Sequence, residues 1–214
     1  MFVPLFQGLS AQDAADLAGS TLERHYPEGS ILFLEGDPGD VAYIVLSGRV
    51  DLSLTSIEGS QLLIHQVGPG GYLGEMALLD GQPRSATATV AEDSVIVSIR
   101  RQDLLEYLHR NPDAAIRMLR LSSERLRMAD EKIKALGFQD VAGRLARTLL
   151  NLSESKGPDE PISVHHDELA AMIGSRRPTV TTLLSRWRAA GFIVTARGSL
   201  AVSNRQALEE LAAL

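Results

Sequence analysis

The 214-residue sequence predicts an α+β protein in which an N-terminal antiparallel β-roll is followed by one long helix and a small, mostly helical C-terminal domain. Two features of the pattern lead to this prediction. Short apolar runs separated by glycines fill the first half, as in antiparallel sheets. After residue 101 the apolar residues recur at helical spacing. We predict three divisions: 1–111 for the β-rich domain, 112–137 for the long helix and hinge, and 138–214 for the C-terminal domain.

The composition excludes several classes of protein. There is no cysteine, which excludes disulfides, thiolate metal sites and thiol catalysis. The five histidines are scattered, so no metal site is predicted. No serine lies in a nucleophile-elbow motif, and we do not expect an enzyme. No apolar stretch is long enough to span a membrane and no signal sequence is recognisable, so a cytoplasmic protein without a membrane partner is expected.

The first half reads as a short helix followed by β-strands. Residues 10–20 have apolar side chains at helical spacing after a serine that can cap a helix. From Tyr26 the pattern changes to short runs of β-type residues with glycines between them. The predicted strands are 31–34, 42–46, 50–54, 62–64 and 94–99.

Residues 74–87 interrupt these strands with the features of an anion-binding loop. A one-turn helix beginning near Glu75 would point unpaired N–H groups at a phosphate, and Arg84 would add a forked positive charge. Ser85 adds a hydroxyl donor, and the Glu75 carboxylate can accept from a sugar hydroxyl. The alternative is a surface turn with a solvated arginine. The candidate ligand-binding residues in this stretch are Gly74, Glu75, Met76, Arg84, Ser85 and Ala86.

A long helix is predicted for 113–136, after a shorter one at 103–110. Leu119, Leu126 and Ile133 are seven residues apart, which is the spacing of a coiled-coil seam. A second series at the same spacing contains Ser122, Ala129 and Leu136. This pattern predicts a homodimer, and the alternative is a helix packed on its own β-domain. Gly137 is predicted to end the helix and to form a hinge.

The C-terminal part has the element order of a winged helix-turn-helix. A helix is predicted for 140–152, two more for 167–173 and 176–189 with a Gly174-Ser175 turn between them, and a closing helix for 204–214. Two short strands at 193–195 and 200–202 would form the wing.

The charge distribution points to double-stranded DNA as a partner. Residues 1–137 hold 12 Lys+Arg and 19 Asp+Glu, whereas residues 138–214 hold 9 and 8. From Leu169 to Leu208 there are six arginines and no acidic residue. Such a window predicts a phosphate-facing surface.

These motifs together resemble the CRP/FNR (cyclic-AMP receptor protein) family of bacterial transcription regulators over essentially the whole chain. The most specific pieces are 74–75 with 84–86, the entry to the C-terminal domain at 138–144, and the turn and recognition helix at 173–180. The resemblance implies a homodimer with a β-roll sensor, a two-fold symmetric operator, and DNA binding gated by an effector.

The resemblance also implies roles for individual residues of the ligand site. Glu75 would hold the ribose 2′-hydroxyl, and Arg84 with the backbone around Ser85 and Ala86 would hold the cyclic phosphate. Arg125 on the long helix would pair with Glu75. Where cyclic-AMP-responsive members have a Thr-Ser pair that reads adenine, this chain has Ala129-Asp130. Asp130 could accept from the adenine amino group or from guanine.

Cyclic AMP is the expected effector. The alternatives are another cyclic nucleotide, another small anion, or a regulator that needs no effector. A cyclic-nucleotide-binding module without DNA function is the alternative from a different class.

On the recognition helix, Arg177 is expected to bond to guanine and Thr182 to contact a thymine methyl. Pro178 replaces the glutamate of the cyclic-AMP receptor protein, so a different half-site preference is expected. Backbone phosphates are the expected contacts of four further residues: His166, Arg176, Thr179 and Arg186. The loop at 153–160 corresponds to one that contacts RNA polymerase in the family, as an activator requires, although the sequence leaves activation or repression open.

Overall fold

The computed structural model describes residues 21–156, 160–196 and 198–213. The helix predicted at 10–20 lies outside these residues, as do parts of the loop at 153–160 and the tip of the wing at Arg197. The described residues belong to two compact units. Unit 1 runs up to Leu54 and continues from Ile64 to Arg127, and unit 2 combines Thr55–Leu63 with Met128–Leu214.

The described strands and helices have the order that the sequence predicted, with two strands added. The strands are β1 Thr21–Tyr26, β2 Ile31–Phe33, β3 Val41–Thr55, β4 Gln61–Val67, β5 Tyr72–Leu73, β6 Thr87–Arg100, β7 Ile193–Ala196 and β8 Ser199–Val202. The helices are α1 Glu75–Asp80, α2 Arg101–Arg110, α3 Pro112–Phe138, α4 Val141–Lys156, α5 His166–Ile173, α6 Arg177–Ala189 and α7 Arg205–Ala212.

The β-roll is organised around its two longest strands, β3 and β6. The sheet order is β1-β6-β3-β4, with β2 paired to β6 and β5 paired to β3. The β1, β2 and β3 pairings with β6 are antiparallel, with Val45 opposite Ile96 at the centre. Val45 and Ile96 are fully buried, so the core of the roll lies on this face. The predicted α+β fold class is confirmed.

The two runs predicted as separate strands at 42–46 and 50–54 form one strand, β3. The separation was wrong because Gly48 was read as a turn. It has a positive φ of 82° and lies where the β3–β6 register shifts, so it forms a bulge within a continuous strand. A Cβ at Gly48 would lie 2.4 Å from the carbonyl oxygen of Asp93, so only glycine fits there.

The predicted end of the long helix at Gly137 was also wrong. Helix α3 is 27 residues long and ends at Phe138, so Gly137 lies within its last turn. Glycine lowers helix stability by about 1 kcal/mol, which the rest of a long helix can offset. The connection to α4 is made instead by Gln139 and Asp140, and the Asp140 side chain caps α4 by accepting from the Gly143 N–H at 2.7 Å.

Helix α1 is held in place by its buried side. Leu78 is fully buried among Tyr72 and Leu104, which belong to the cluster between the sheet and α2. Full burial of one leucine contributes about 1.5–3 kcal/mol. The exposed side of α1 and the loop that follows it are thereby fixed between β5 and β6.

In unit 2, the four helices α4–α7 and the β7–β8 hairpin share one core. This core includes Leu149, Leu169, Trp187 and Leu208. The turn between α5 and α6 is made by Gly174, which has a φ of 61° and donates to carbonyls at the end of α5. The predicted winged helix-turn-helix is therefore present.

Candidate functional site

The first candidate site begins where β5 ends and α1 starts. Gly74 precedes the helix with a φ of 78°, a conformation that glycine adopts without strain. Gly81 ends the helix in the same conformation and donates to the Ala77 carbonyl. Two glycines with positive φ thus delimit a six-residue helix and fix its direction.

Arg84 is the central side chain of this site. Its Nη1 donates to the Gly74 carbonyl at 2.8 Å and its Nη2 donates to the Val41 carbonyl at 2.6 Å. The guanidinium lies over the Phe33 ring, 4.2 Å from its centroid. Two carbonyls and one aromatic face therefore hold the fork in one orientation.

The Arg84 guanidinium is buried and incompletely paired. The residue is 5% exposed, and its Nε has no hydrogen-bond partner among the described residues. Burial lowers the pKa of Arg84 from its ordinary value. A buried donor without an acceptor costs about 1–3 kcal/mol. An anion that accepts from this group would remove that cost.

Arg84 can occupy its position because two nearby residues are glycines. A Cβ at Gly39 would lie 2.6 Å from the Ala77 Cβ and 2.8 Å from the Arg84 Cζ. A Cβ at Gly74 would lie 2.5 Å from the Arg84 Nη1. Neither position accepts a side chain without displacing Arg84, so the two glycines form a cradle for its guanidinium.

Glu75, the first residue of α1, is paired with Arg125 of α3. The Arg125 Nη1 donates to the Glu75 Oε1 at 2.9 Å, which is the pair that the resemblance implied. Glu75 is 6% exposed. Burial raises the pKa of its carboxyl, and Arg125 acts in the opposite direction. The ion pair fixes this carboxylate beside the Arg84 loop.

Tyr72 supports this pair and was not identified from the sequence. Its backbone carbonyl accepts from Arg125 Nη2, and the Arg125 guanidinium lies 4.5 Å from the centroid of its ring. The Tyr72 hydroxyl donates to the Met118 carbonyl at 3.0 Å. A buried aromatic residue next to a glycine-rich turn is the only sequence signal that points to it.

The remaining predicted residues of the loop lie around Arg84. The Ser85 hydroxyl is exposed and donates to the Met76 sulfur at 3.6 Å. Ala86 is buried at the start of β6. The structure therefore brings together Gly74, Glu75, Met76, Arg84, Ser85, Ala86 and Arg125 in unit 1.

Ala129 and Asp130, predicted to read the base, lie on α3 within unit 2. Ala129 is half-buried and Asp130 is exposed. Their base-reading role stays a prediction.

The second candidate site is the exposed face of α6. Val180, Leu184 and Trp187 are buried and hold the helix on its own domain. The opposite face is exposed and carries every predicted DNA-contact residue of this helix and its first turn. These exposed residues are Arg176, Arg177, Pro178, Thr179, Thr182 and Arg186.

Several of these residues form ion pairs or hydrogen bonds within the protein. The Arg177 Nε lies 3.6 Å from the Asp167 Oδ1, and the Thr182 hydroxyl donates to the Pro178 carbonyl at 2.9 Å. The His166 Nδ1 is 2.9 Å from the Thr181 hydroxyl, so the structure brings His166 next to α6. Asp167 and Thr181 were not identified from the sequence.

Comparisons with known proteins match both the β-roll and the C-terminal domain. A model of the cyclic nucleotide-binding domain matches residues 23–111, and a model of the Crp-like helix-turn-helix domain matches residues 143–211. The chain belongs to the CRP/FNR family. It is 37% identical over 210 residues to the cyclic AMP receptor protein of Thermus thermophilus, covering 98% of this chain and 96% of that protein.

Two further CRP/FNR relatives cover most of the chain. The CRP-like cAMP-activated global transcriptional regulator of Mycobacterium tuberculosis is 31% identical, over 95% of this chain and 94% of that protein. The solved structure of a CRP/FNR transcriptional regulator from Thermus thermophilus has a TM-score of 0.70 at 32% identity, over 90% of this chain and 99% of that chain.

Family membership makes the protein a DNA-binding transcription regulator with a cyclic-nucleotide-binding domain, and not an enzyme. In the part of the chain that the structure describes, no helix is both long and apolar enough to span a membrane.

Proposed function

We propose that this CRP/FNR regulator works as a homodimer on a two-fold symmetric operator and is controlled by cyclic AMP bound in the β-roll. The observation that carries the proposal is the buried, incompletely paired Arg84 in its glycine-lined cradle. The division into a sensor domain, a dimerisation helix and a DNA-binding domain at 1–111, 112–137 and 138–214 belongs to the same proposal.

The proposed contacts with the effector follow from the hydrogen-bond donors and acceptors of these side chains. Arg84 Nε, with the loop at Ser85 and Ala86, would donate to a cyclic phosphate. Glu75 would accept from a ribose hydroxyl with the oxygen that Arg125 does not engage. The names of the two curated relatives, which refer to cyclic AMP, support an adenine nucleotide.

Base selectivity is the open part of the effector site. Ala129 can neither donate nor accept a hydrogen bond through its side chain, and one lost contact costs about 1–3 kcal/mol. Asp130 is exposed and can accept from an amino group. Cyclic GMP is therefore the competing nucleotide.

The homodimer is supported by exposed apolar residues on α3. Leu119, Leu126 and Ile133 are 67%, 64% and 67% exposed and share one seam at seven-residue spacing. Large apolar side chains in such a row are stabilised by a second copy of the same helix. A dimer would place two α6 helices on two half-sites.

Arg177→Ala is expected to reduce discrimination at a single guanine of the half-site by about 1–3 kcal/mol. Arg177 is exposed at the start of α6, where a guanidinium can bond to two acceptors of guanine. Competition binding with every substituted half-site measures the effect. Arg186→Ala is the control and should weaken all sequences equally, because a phosphate contact carries no base information. Equal weakening of all sequences by Arg177→Ala would contradict its role.

Nucleotide affinity is expected to fall as the pH is lowered towards the raised pKa of the Glu75 carboxyl. Because burial raises the pKa of Glu75, its carboxyl takes up a proton at a higher pH than an exposed glutamate does. Protonation removes the ion pair with Arg125 and the charge that accepts from the sugar. Calorimetry on wild type and Glu75→Gln measures this, and the variant should bind more weakly with a flat pH profile. If the affinities of wild type and Glu75→Gln changed equally with pH, the assignment of Glu75 as the sugar-binding carboxylate would be contradicted.

Selection of bound duplexes from a random DNA pool, with and without cyclic AMP, tests the proposed function. We expect an enriched palindrome only when cyclic AMP is present. Enrichment in both conditions would indicate a regulator without an effector. Nucleotide binding without enrichment would indicate a sensing module alone. Contact with RNA polymerase, activation and the cytoplasmic location remain predictions from the sequence.

A further inference from the structure

The tip of the β3–β4 hairpin, residues 55–63, is closed by backbone hydrogen bonds and belongs to the same compact unit as the helix-turn-helix. The Ser56 N–H donates to the Ser60 carbonyl at 2.8 Å, and the Gly59 N–H donates to the Ser56 carbonyl at 2.9 Å. Gly59 has a φ of 81°, which closes the turn without strain. Glu58 is therefore held in a defined position at the tip.

Two further contacts fix the hairpin tip against the helix-turn-helix and the end of α3. A Cβ built on Gly174, in the turn between α5 and α6, would lie 3.0 Å from both the Leu62 and the Leu136 side chains. The Lys132 Nζ donates to the Leu63 carbonyl. The tip, the turn and the last part of α3 thus form one packed cluster.

At this cluster, Glu58 forms an ion pair with Arg176. Arg176 is the residue immediately before α6, where the helix dipole and the free N–H groups favour a negative charge. A DNA phosphate would be favoured in the same place for the same reason. The Glu58 carboxylate engages the guanidinium that we expect to contact such a phosphate.

We propose that Glu58 is a built-in competitor for DNA: its carboxylate neutralises Arg176 in the free protein and must be displaced before Arg176 contacts a phosphate. The inference rests on the proposed DNA-binding role of α6. Both side chains are about two-thirds exposed, at 69% and 67%. Such a pair is weak enough to exchange for a phosphate, and it lowers DNA affinity without blocking it.

The competition also links the sensor hairpin to the DNA-binding surface. Leu62 lies beside the turn at Gly174, and the Leu63 carbonyl accepts from Lys132 of α3, so the hairpin that carries Glu58 contacts both elements. A change that separates Glu58 from Arg176 would remove this competition.

Glu58→Gln tests the competitor directly. At fixed salt and without nucleotide, we expect the full-length variant to bind duplex DNA about 1.4- to fivefold more tightly than wild type, the range that an exposed ion pair contributes. Glu106→Gln is the matched control, because it removes the same charge from an exposed Arg110–Glu106 pair on α2. It should bind DNA as wild type does.

The double variant separates competition for Arg176 from general repulsion of DNA by Glu58. If Glu58 acts through Arg176, then Glu58→Gln should have no effect in an Arg176→Gln background. An equal gain in both backgrounds, or no gain in the single variant, would overturn the inference while leaving the DNA-binding function standing. Failure of wild type to bind any duplex would instead reject the proposed function and this inference with it.

Discussion

Arg84→Leu is expected to lower cyclic AMP affinity at least 100-fold, to the point that calorimetry records no binding. The reason is that Arg84 places a buried positive charge at the phosphate-binding loop, and among the described residues of the site its Nε is the buried donor without a partner. Hydrogen bonds to charged groups contribute about 1.5–3 kcal/mol each, and the fork offers more than one. Thermal unfolding without nucleotide establishes that the variant is folded.

Two further variants make the Arg84 result specific. Arg84→Lys keeps the charge but loses the fork, so it should bind measurably and more weakly than wild type. Arg110→Leu removes an exposed arginine from α2 and should bind as wild type does. Binding by folded Arg84→Leu within tenfold of wild type would contradict the assignment of this site.

Leu126→Asp is expected to dissociate the dimer and to lower operator affinity by about 10²- to 10⁴-fold, the gain that linking two half-site contacts provides. Leu126 lies in the middle of the exposed seam of α3, so a carboxylate there would be buried without a partner in the dimer. Light scattering measures the mass, and a DNA titration measures the affinity.

Met128→Asp is the matched control for the seam. Met128 is also an exposed apolar residue of α3, at 50%, but it lies two positions further on and so faces away from Leu126. This variant should remain dimeric. A dimeric Leu126→Asp protein, or a monomeric wild type that binds its operator at full affinity, would contradict the proposed dimer.

Much of the fold could be predicted because its signals are local. The apolar spacing of α3, the arginines of α6 and the turn at Gly174 all lie within short windows of sequence. Glycine was the least reliable signal. Gly48 forms a bulge and Gly137 stays helical, because in both cases the surrounding structure decides the conformation.

The candidate site could be predicted only where its residues are close together in the chain. Glu75 and Arg84 share one loop, but Arg84 is oriented by the carbonyl of Val41, which is 43 positions away. Every residue has a backbone carbonyl, so the residue types in the sequence do not indicate which carbonyl contacts Arg84. The ion pair between Glu58 and Arg176 joins residues 118 positions apart, and only the fold brings them together.

The affinity of the selected operator with and without saturating cyclic AMP, at one fixed salt concentration, tests the central claim most directly. Moving a regulator from about 1% to about 99% active requires an effector that prefers the active state about 10⁴-fold. We therefore expect operator affinity to rise by up to about 100-fold with cyclic AMP in wild type, and not at all in Arg84→Leu. Equal wild-type affinity in both conditions would contradict control by cyclic AMP.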